Sequence, residues 1–227
     1  MKQVTLKAPF SVHGKGLHTG MVIEAEFLPA PDNHGYKVQR TDLEGEPILD
    51  AVAENVVGTE RGTVIARGDV SVSTIEHALA ALYAAGIDNV LIRLNGPEMP
   101  ILDGSAREFC EKIEAAGVVE QKDDKDYYIV KQKIEVRDEN TGASIVVLPD
   151  NDFSVDVMIQ FDSPVLPNQF ASLDNMSDFG KEVASCRTFV FVREIEPLVK
   201  GNLIKGGDLE NAVVIYDREM PQSELDR

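Results

Sequence analysis

The residues with the clearest chemical potential are Glu76 and His77, which are adjacent in the segment STIEHALAALYAAG. A histidine can bind a metal ion, and a carboxylate beside it can act as a general base. The alanines that follow leave room beside the imidazole. A second interpretation stays open, in which Glu76 completes a capping box with Ser73 and His77 is a half-buried helix residue. One histidine does not make a metal site, so these residues alone favour the plainer interpretation.

Three further segments carry groups that could belong to a site. GKGLHTG contains His18 but lacks the glycine spacing of a phosphate-binding loop, so by itself it predicts a hairpin turn. PEMPILDGS contains Asp103, which could simply support the start of a helix. SCRTF places the hydroxyl of Thr188 next to the ring of Phe189 at a predicted strand end.

The elements that must position these residues predict an α+β fold. Short β-rich runs and turn residues fill the first seventy positions, and two helices follow, with Ser73 and Ser105 as expected N-caps. Strands followed by helices favour α+β over a doubly wound sheet. We expect a first unit over 1–119, a charged linker over 120–126 and a second unit over 127–227.

Three dipeptides of the first unit recur in the same order in the second. Either two similar units, each a β-sheet with helices packed on it, or a coincidence between turn-rich hairpins explains the recurrence. The second unit lacks a long C-terminal amphipathic helix and is expected to be incomplete at its C-terminus. The pairs are Thr19-Gly20 with Thr141-Gly142, Leu28-Pro29 with Leu148-Pro149, and Asp32-Asn33 with Asp150-Asn151.

Composition narrows the class of protein. The chain has 227 residues and a net charge of −17, which argues against nucleic-acid binding through a broad basic surface. Two distant cysteines, Cys110 and Cys186, do not form a disulfide scaffold or a metal motif. Neither a signal peptide nor a membrane span is evident. A cytoplasmic location is therefore expected.

Taken in order, the motifs GKGLHTG, STIEHALAALYAAGIDN, GPEMPILDGSA and RTF resemble the UDP-3-O-acyl-N-acetylglucosamine deacetylases. These are zinc enzymes of lipid A synthesis in Gram-negative bacteria. The resemblance extends from about Val4 to Asp217. It implies two similar α+β units packed face to face, with the active site between them. It also implies hydrolysis of the N-acetyl group of a UDP-linked acylated glucosamine, with release of acetate.

The resemblance assigns catalytic roles to three residues. His77 matches a zinc ligand, and Glu76 matches the general base. Zinc lowers the pKa of a bound water to about 7, and a neighbouring carboxylate can take its proton. Thr188 matches a hydroxyl that stabilises the oxyanion of the tetrahedral intermediate.

The resemblance also suggests residues near the substrate. Phe189 matches a residue that packs on the substrate, and Phe161 matches an aromatic near the nucleotide. The family more often has a histidine where this chain has Ser163. His18 and Asp103 match polar positions that support the site.

Two parts of the pattern concern the second unit and the residues expected beyond it. The region 190–207 matches an inserted element that forms a hydrophobic passage for the acyl chain. The remaining zinc ligands belong to a His-Lys-x-x-Asp motif that the resemblance places beyond Arg227, and no histidine follows His77. We therefore expect the chain as given to bind zinc weakly and to turn over no substrate. In some bacteria this deacetylase is fused to a hydroxyacyl-carrier-protein dehydratase, and such a fusion would lie after this chain.

Two rival functions remain open at this point. One is a non-catalytic binding module that keeps the scaffold, and the other is a metallohydrolase of a different amide.

Overall fold

The computed structural model describes residues 1–225 and shows an α+β protein, as the sequence predicts. Its largest sheet has five strands in the order β2-β3-β9-β4-β5, of which only β4 and β9 are parallel neighbours. Strands β6, β7 and β8 form a smaller antiparallel sheet. The strands of this first part are β1 (Lys2–Leu6), β2 (Phe10–Lys15), β3 (Val22–Pro29), β4 (Tyr36–Arg40), β5 (Ile48–Asp50), β6 (Val56–Gly58), β7 (Val64–Arg67), β8 (Val70–Val72), β9 (Val90–Leu94) and β10 (Val118–Asp124).

Alternation of apolar residues places one face of the large sheet against the helices. Along β3, Ile23, Ala25 and Phe27 are buried while their neighbours are less so. Phe27 lies edge-to-face with Phe109, their ring centroids 6.0 Å apart. The period of two is what a sheet with one covered face requires.

Two helices cover that face: α1 (Glu76–Ala84) and α2 (Arg107–Ala116). The N-cap of α2 is Ala106 rather than the expected Ser105. The Ser105 hydroxyl still accepts a hydrogen bond from the Arg107 amide at 3.2 Å. The apolar residues of α1 are not all buried. Tyr83 is 51% exposed, whereas Ala78, Ala81 and Leu82 are buried. Close packing of α1 on α2 explains the preference for alanine on the shared face.

Most of the expected linker at 120–126 is a strand. Residues up to Asp124 belong to β10, which pairs with β1 in an antiparallel arrangement. This strand has little apolar alternation because nearly all its side chains are exposed. Its backbone pairing satisfies the N–H and C=O groups without needing a buried face. Whether the boundary between two units follows this strand remains a prediction.

The strands after residue 126 form three separate pairs rather than the single sheet that we expected. β11 pairs with β12 and β13 with β14 in antiparallel fashion, whereas β15 and β16 are parallel. Few apolar side chains are buried here, so little burial draws the pairs together. The elements are β11 (Ile134–Arg137), β12 (Ser144–Val147), β13 (Val155–Ile159), β14 (Gln169–Leu173), α3 (Phe179–Glu182), β15 (Phe189–Phe191), α4 (Val192–Lys200), β16 (Val213–Ile215) and α5 (Gln222–Leu225).

The first of the three recurring dipeptides occupies a matching local position in both parts of the chain. Thr19-Gly20 lies in the turn between β2 and β3, and Thr141-Gly142 lies in the turn between β11 and β12. Both glycines have a left-handed φ, +67° for Gly20 and +74° for Gly142, which favours glycine. The recurring Thr-Gly pair therefore marks the turn of an antiparallel hairpin in each part of the chain.

Within residues 1–225, no helix has the length and apolar character needed to cross a membrane.

The strand assignment of β10 can be tested with neighbouring substitutions. Gln121 accepts a hydrogen bond from the buried Asn89 amide at 2.8 Å and donates one to the Ala30 carbonyl at 3.0 Å. We expect Gln121→Ala to lower the free energy of unfolding by about 1–3 kcal/mol, because Asn89 loses a partner. Glu120→Ala, at an exposed position, should change it by less than about 0.5 kcal/mol. Urea denaturation would measure both. Equal, negligible effects would mean that this segment behaves as a linker.

Candidate active site

Glu76 is the first residue of α1 and does not cap it. Its Oε2 accepts a hydrogen bond from the Thr63 amide at 2.9 Å. Ser73, the proposed cap, forms other hydrogen bonds. Its amide donates to the Pro97 carbonyl at 3.0 Å, and its own carbonyl accepts from the Met99 amide. The capping-box interpretation is therefore wrong, because Ser73 belongs to a β-bridge with Glu98.

His77 follows in the first turn of α1 and is half-buried. Burial lowers the pKa of His77, while the charges of Glu76 and Asp103 act in the opposite direction. The net shift favours the neutral imidazole. That is the form with a free nitrogen lone pair for a metal ion.

His18 lies near the Glu76 carboxylate. Its Nε2 donates to the Arg61 carbonyl at 3.1 Å, which leaves Nδ1 as the acceptor nitrogen. Among the described residues, His18 Nδ1 is the buried side-chain polar atom that has no hydrogen-bond partner. A Cβ at Gly62 would lie 3.4 Å from Glu76 Oε1 and 3.9 Å from His18 Nε2. The structure thus brings His18 and Glu76 together around Gly62.

Asp103 lies in the loop before α2. Its carboxylate accepts hydrogen bonds from Ser105 Oγ and from the Arg107 guanidinium, each at 2.6 Å. Burial acts to raise the pKa of Asp103, but the hydrogen bonds from Ser105 and the charges of Arg107 and Arg187 outweigh it, so the pKa lies below its usual value. Asp103 is therefore a carboxylate at neutral pH.

Thr188 is tied to the same loop through the backbone. Its amide donates to the Gly104 carbonyl at 2.8 Å, and Arg187 Nε donates to the Asp103 carbonyl at the same distance. A side chain at Gly104, whose φ is +81°, would overlap the carbonyl oxygen of Asn211. Close backbone contact across Gly104 therefore joins the first part of the chain to the second.

Phe161 and Phe189 lie together. Their ring centroids are 5.5 Å apart, and Phe191 completes the cluster at 5.9 Å from Phe161 and 6.0 Å from Phe189. Phe189 is 39% exposed and presents an apolar surface to solvent. Ser163, where the family more often has a histidine, uses its hydroxyl to accept a backbone hydrogen bond from Val165.

Helix α4 connects the aromatic cluster to the loop of Arg61, whose carbonyl oxygen accepts the hydrogen bond from His18. Arg61 Nη2 forms an ion pair with Glu194 Oε1 at 2.7 Å, and Glu194 Oε2 accepts from the Phe191 amide at 3.1 Å. A cleft of about 490 Å³ lies here. It is lined by Glu60, Arg61, Arg193, Glu194, Pro197, Leu198 and Leu203.

A complete metal site is not formed by the described part of the chain. Residues 1–225 contain no group of three or more His, Cys, Asp or Glu side chains placed to hold a metal ion. The neutral imidazole of His77 fits one ligand position. A catalytic zinc usually takes three protein ligands, so these residues fit only part of such a site.

The sequence-predicted residues fall into two groups. Glu76, His77 and His18 lie around the start of α1, while Phe161 and Phe189 lie in the aromatic cluster. The loop of Asp103 and Gly104 connects the groups, since Asp103 influences His77 and Gly104 binds Thr188.

Sequence reasoning missed Glu98, Arg61 and Arg187. The one available signal for Glu98 was an acidic residue inside the otherwise apolar run GPEMPIL.

The chain belongs to the family described as LpxC, UDP-3-O-acyl N-acetylglycosamine deacetylase, which it matches over residues 3–226. It is 61% identical over all 227 residues to a bifunctional enzyme LpxC/FabZ of Bacteroides thetaiotaomicron and 56% identical over 225 residues, 99% of this chain, to that of Porphyromonas gingivalis. The chain spans about half the length of these relatives, 49% in each case.

The chain is also similar to a relative that is named as a deacetylase alone. The UDP-3-O-acyl-N-acetylglucosamine deacetylase of Myxococcus xanthus is 41% identical over 214 residues. That match covers 94% of this chain and 68% of the relative.

The lowered pKa of Asp103 predicts a pH-dependent contribution to stability. A carboxyl group with a depressed folded-state pKa stabilises the fold above its unfolded pKa, and this stability is lost as the pH falls through the folded pKa. We therefore expect wild-type protein to lose more unfolding free energy than Asp103→Asn on going from about pH 7 to about pH 3. Denaturant titrations at several pH values would measure the difference.

The matched control for that experiment is Asp69→Asn, at an exposed turn carboxylate. It should keep the wild-type pH dependence. An Asp103→Asn profile that also follows wild type would contradict the prediction.

Proposed function

We propose that the protein is a zinc-dependent deacetylase that removes the N-acetyl group of UDP-3-O-acyl-N-acetylglucosamine and releases acetate. The observation that carries the proposal is the pair at the start of α1. Glu76 has no capping role, and the neighbouring His77 is held in its neutral form. Family membership supports the same reaction.

Glu76 is proposed as the general base. Its Oε2 is held by the Thr63 amide, while Oε1 faces the Gly62 backbone, where no side chain occupies space. A carboxylate anchored through one oxygen keeps the other available to accept a proton from an attacking water. His18, with a bare Nδ1, can accept a further hydrogen bond beside it.

Thr188 is proposed to donate its hydroxyl hydrogen bond to the oxyanion that forms at the acetyl carbonyl. The backbone bonds of Thr188 to Gly104 and Val213 fix its main chain on both sides. Donors that are positioned in advance stabilise a developing charge without reorganisation. Asp103 is proposed to support His77 electrostatically, and Phe161 and Phe189 to pack on the substrate.

Zinc is the proposed metal, with His77 as one ligand. When bound, it would supply a Lewis acid that activates the attacking water. The other ligands are proposed to come from residues outside this chain, since His77 fits one position only.

The substrate and setting follow from the same proposal. The acyl chain is proposed to pass along the apolar surface of 190–207, where Leu198 and Leu203 line the cleft beside α4. The deacetylation would be a step of lipid A synthesis in the cytoplasm. Fusion to a hydroxyacyl-carrier-protein dehydratase is also proposed, and relatives named LpxC/FabZ support it.

The first activity test replaces the base. In the full-length, zinc-loaded protein, Glu76→Gln should lower kcat about a hundredfold or more, because an amide cannot accept the proton of water. Released acetate would be measured with UDP-3-O-acyl-N-acetylglucosamine as substrate. Glu114→Gln, on the exposed face of α2, serves as the control.

Wild-type protein that binds the substrate without hydrolysing it would indicate a binding module. Hydrolysis of a different amide alone would indicate another metallohydrolase. Either outcome would contradict the proposal.

A second test addresses the oxyanion. Thr188→Val should lower kcat about a hundredfold with little change in KM, since the hydroxyl acts mainly in the transition state. Thr188→Ser keeps the hydroxyl and should retain most of the activity. Equal activity of the valine and serine variants would remove Thr188 from the reaction.

A further inference from the structure

Glu98 is a fully buried carboxylate, with 0% of the residue exposed. Its Oε1 accepts hydrogen bonds from the His18 amide at 2.8 Å and from Thr74 Oγ1 at 3.0 Å. Its Oε2 accepts from the Thr19 amide at 2.9 Å and from Thr19 Oγ1 at 2.7 Å. Each oxygen thus receives one backbone N–H and one hydroxyl, which is a donor set suited to a carboxylate.

These donors come from two segments that carry the proposed active-site residues. One is the glycine-rich turn between β2 and β3, which holds His18. The other is the bend at Thr74, two residues before Glu76, where φ is +59°. A non-glycine residue with this backbone conformation needs support from its surroundings.

The backbone of Glu98 supports the same bend. Ser73 and Glu98 form a parallel β-bridge, in which the Ser73 amide donates to the Pro97 carbonyl and the Met99 amide donates to the Ser73 carbonyl. Main chain and side chain of one residue therefore hold the start of α1.

The glycine-rich turn fits closely around this carboxylate. A Cβ at Gly16 would overlap Glu98 Oε2. On its other side the turn accepts hydrogen bonds from the second part of the chain, since the Gly206 amide donates to the Leu17 carbonyl at 3.0 Å and the Lys205 amide donates to the His18 carbonyl at 3.3 Å. A shift at Glu98 would be passed to His18 and to this contact.

We propose that Glu98 is a positioning residue that sets the distance between His18 and the Glu76–His77 pair. It touches neither substrate nor metal and acts through the His18 amide and the Thr74 hydroxyl. The inference rests on the proposed function for its effect on catalysis, whereas its effect on the turn can be measured without any activity.

The test variant is Glu98→Gln, which keeps the size of the side chain. An amide nitrogen would face a backbone N–H, from His18 or from Thr19, and two donors would oppose each other. We expect kcat of the full-length, zinc-loaded protein to fall about tenfold or more, with KM changed less than about threefold. Hydrogen exchange of the His18 and Thr19 amides should become at least about tenfold faster.

Two controls separate positioning from simple destabilisation. Phe109→Leu, in the core beneath the sheet, should lower Tm while leaving kcat and these two amides close to wild type. Two less disruptive substitutions, both at Thr19, keep the test possible if Glu98→Gln does not fold. Thr19→Val removes a hydroxyl bond to Glu98 and should lower kcat, whereas Thr19→Ser should restore it.

The outcomes are distinct from those of the activity proposal. Inactive wild-type protein would overturn the deacetylase proposal, yet faster exchange at His18 and Thr19 in Glu98→Gln would still support positioning of the turn. Wild-type exchange together with wild-type kcat in Glu98→Gln and in Thr19→Val would overturn the inference about Glu98. Loss of kcat in Phe109→Leu equal to that in Glu98→Gln, at equal Tm, would reduce Glu98 to a structural role.

Discussion

The hydrogen bonds around the buried carboxylate of Glu98 hold the candidate site together. Burying a carboxylate costs several kcal/mol unless hydrogen bonds replace the lost water. Here the replacement comes from the turn of His18 and Thr19 and from the bend at Thr74, so folding Glu98 inward requires both segments to be in place. Helix α1 can then begin at Glu76 without a serine cap, and its first turn faces the loop of Gly62.

The arginines near the candidate site differ in the groups that they bind. The chain carries a net charge of −17, and the proposed substrate is an anionic nucleotide sugar. Several arginines near the site are occupied by carboxylates, such as Arg61 by Glu194 and Arg107 by Asp103. Arg187 differs, because its guanidinium donates to the carbonyl oxygens of Asp103 and Leu209, which carry no formal charge. Its positive charge nevertheless acts on the Asp103 carboxylate, whose pKa it helps to lower.

Sequence patterns predicted the local elements well and the long-range ones poorly. Alternating apolar residues gave β3, and the helical segments gave α1 and α2, because these signals depend on neighbours in the chain. The ordered motifs also predicted the family. Glu98 escaped notice because its partners lie up to 80 positions away. Strand β10 escaped because an exposed strand pairs through its backbone and needs no apolar period.

Three glycines at the junction have a role apart from making turns. At Gly16, Gly104 and Gly206 an added Cβ would overlap Glu98, the Asn211 carbonyl or the Gly16 carbonyl, and two of the three lack a left-handed φ. At Gly104 and Gly206 the backbone of one part of the chain meets the backbone of the other, so a side chain there would push the two parts apart. A Cβ at Gly16 would instead meet the side chains of Glu98 and Thr19. The spacing across the candidate site therefore depends on the lack of a side chain at these glycines. An activity screen would register damage here as if a reacting group had been removed, although none of these residues carries one.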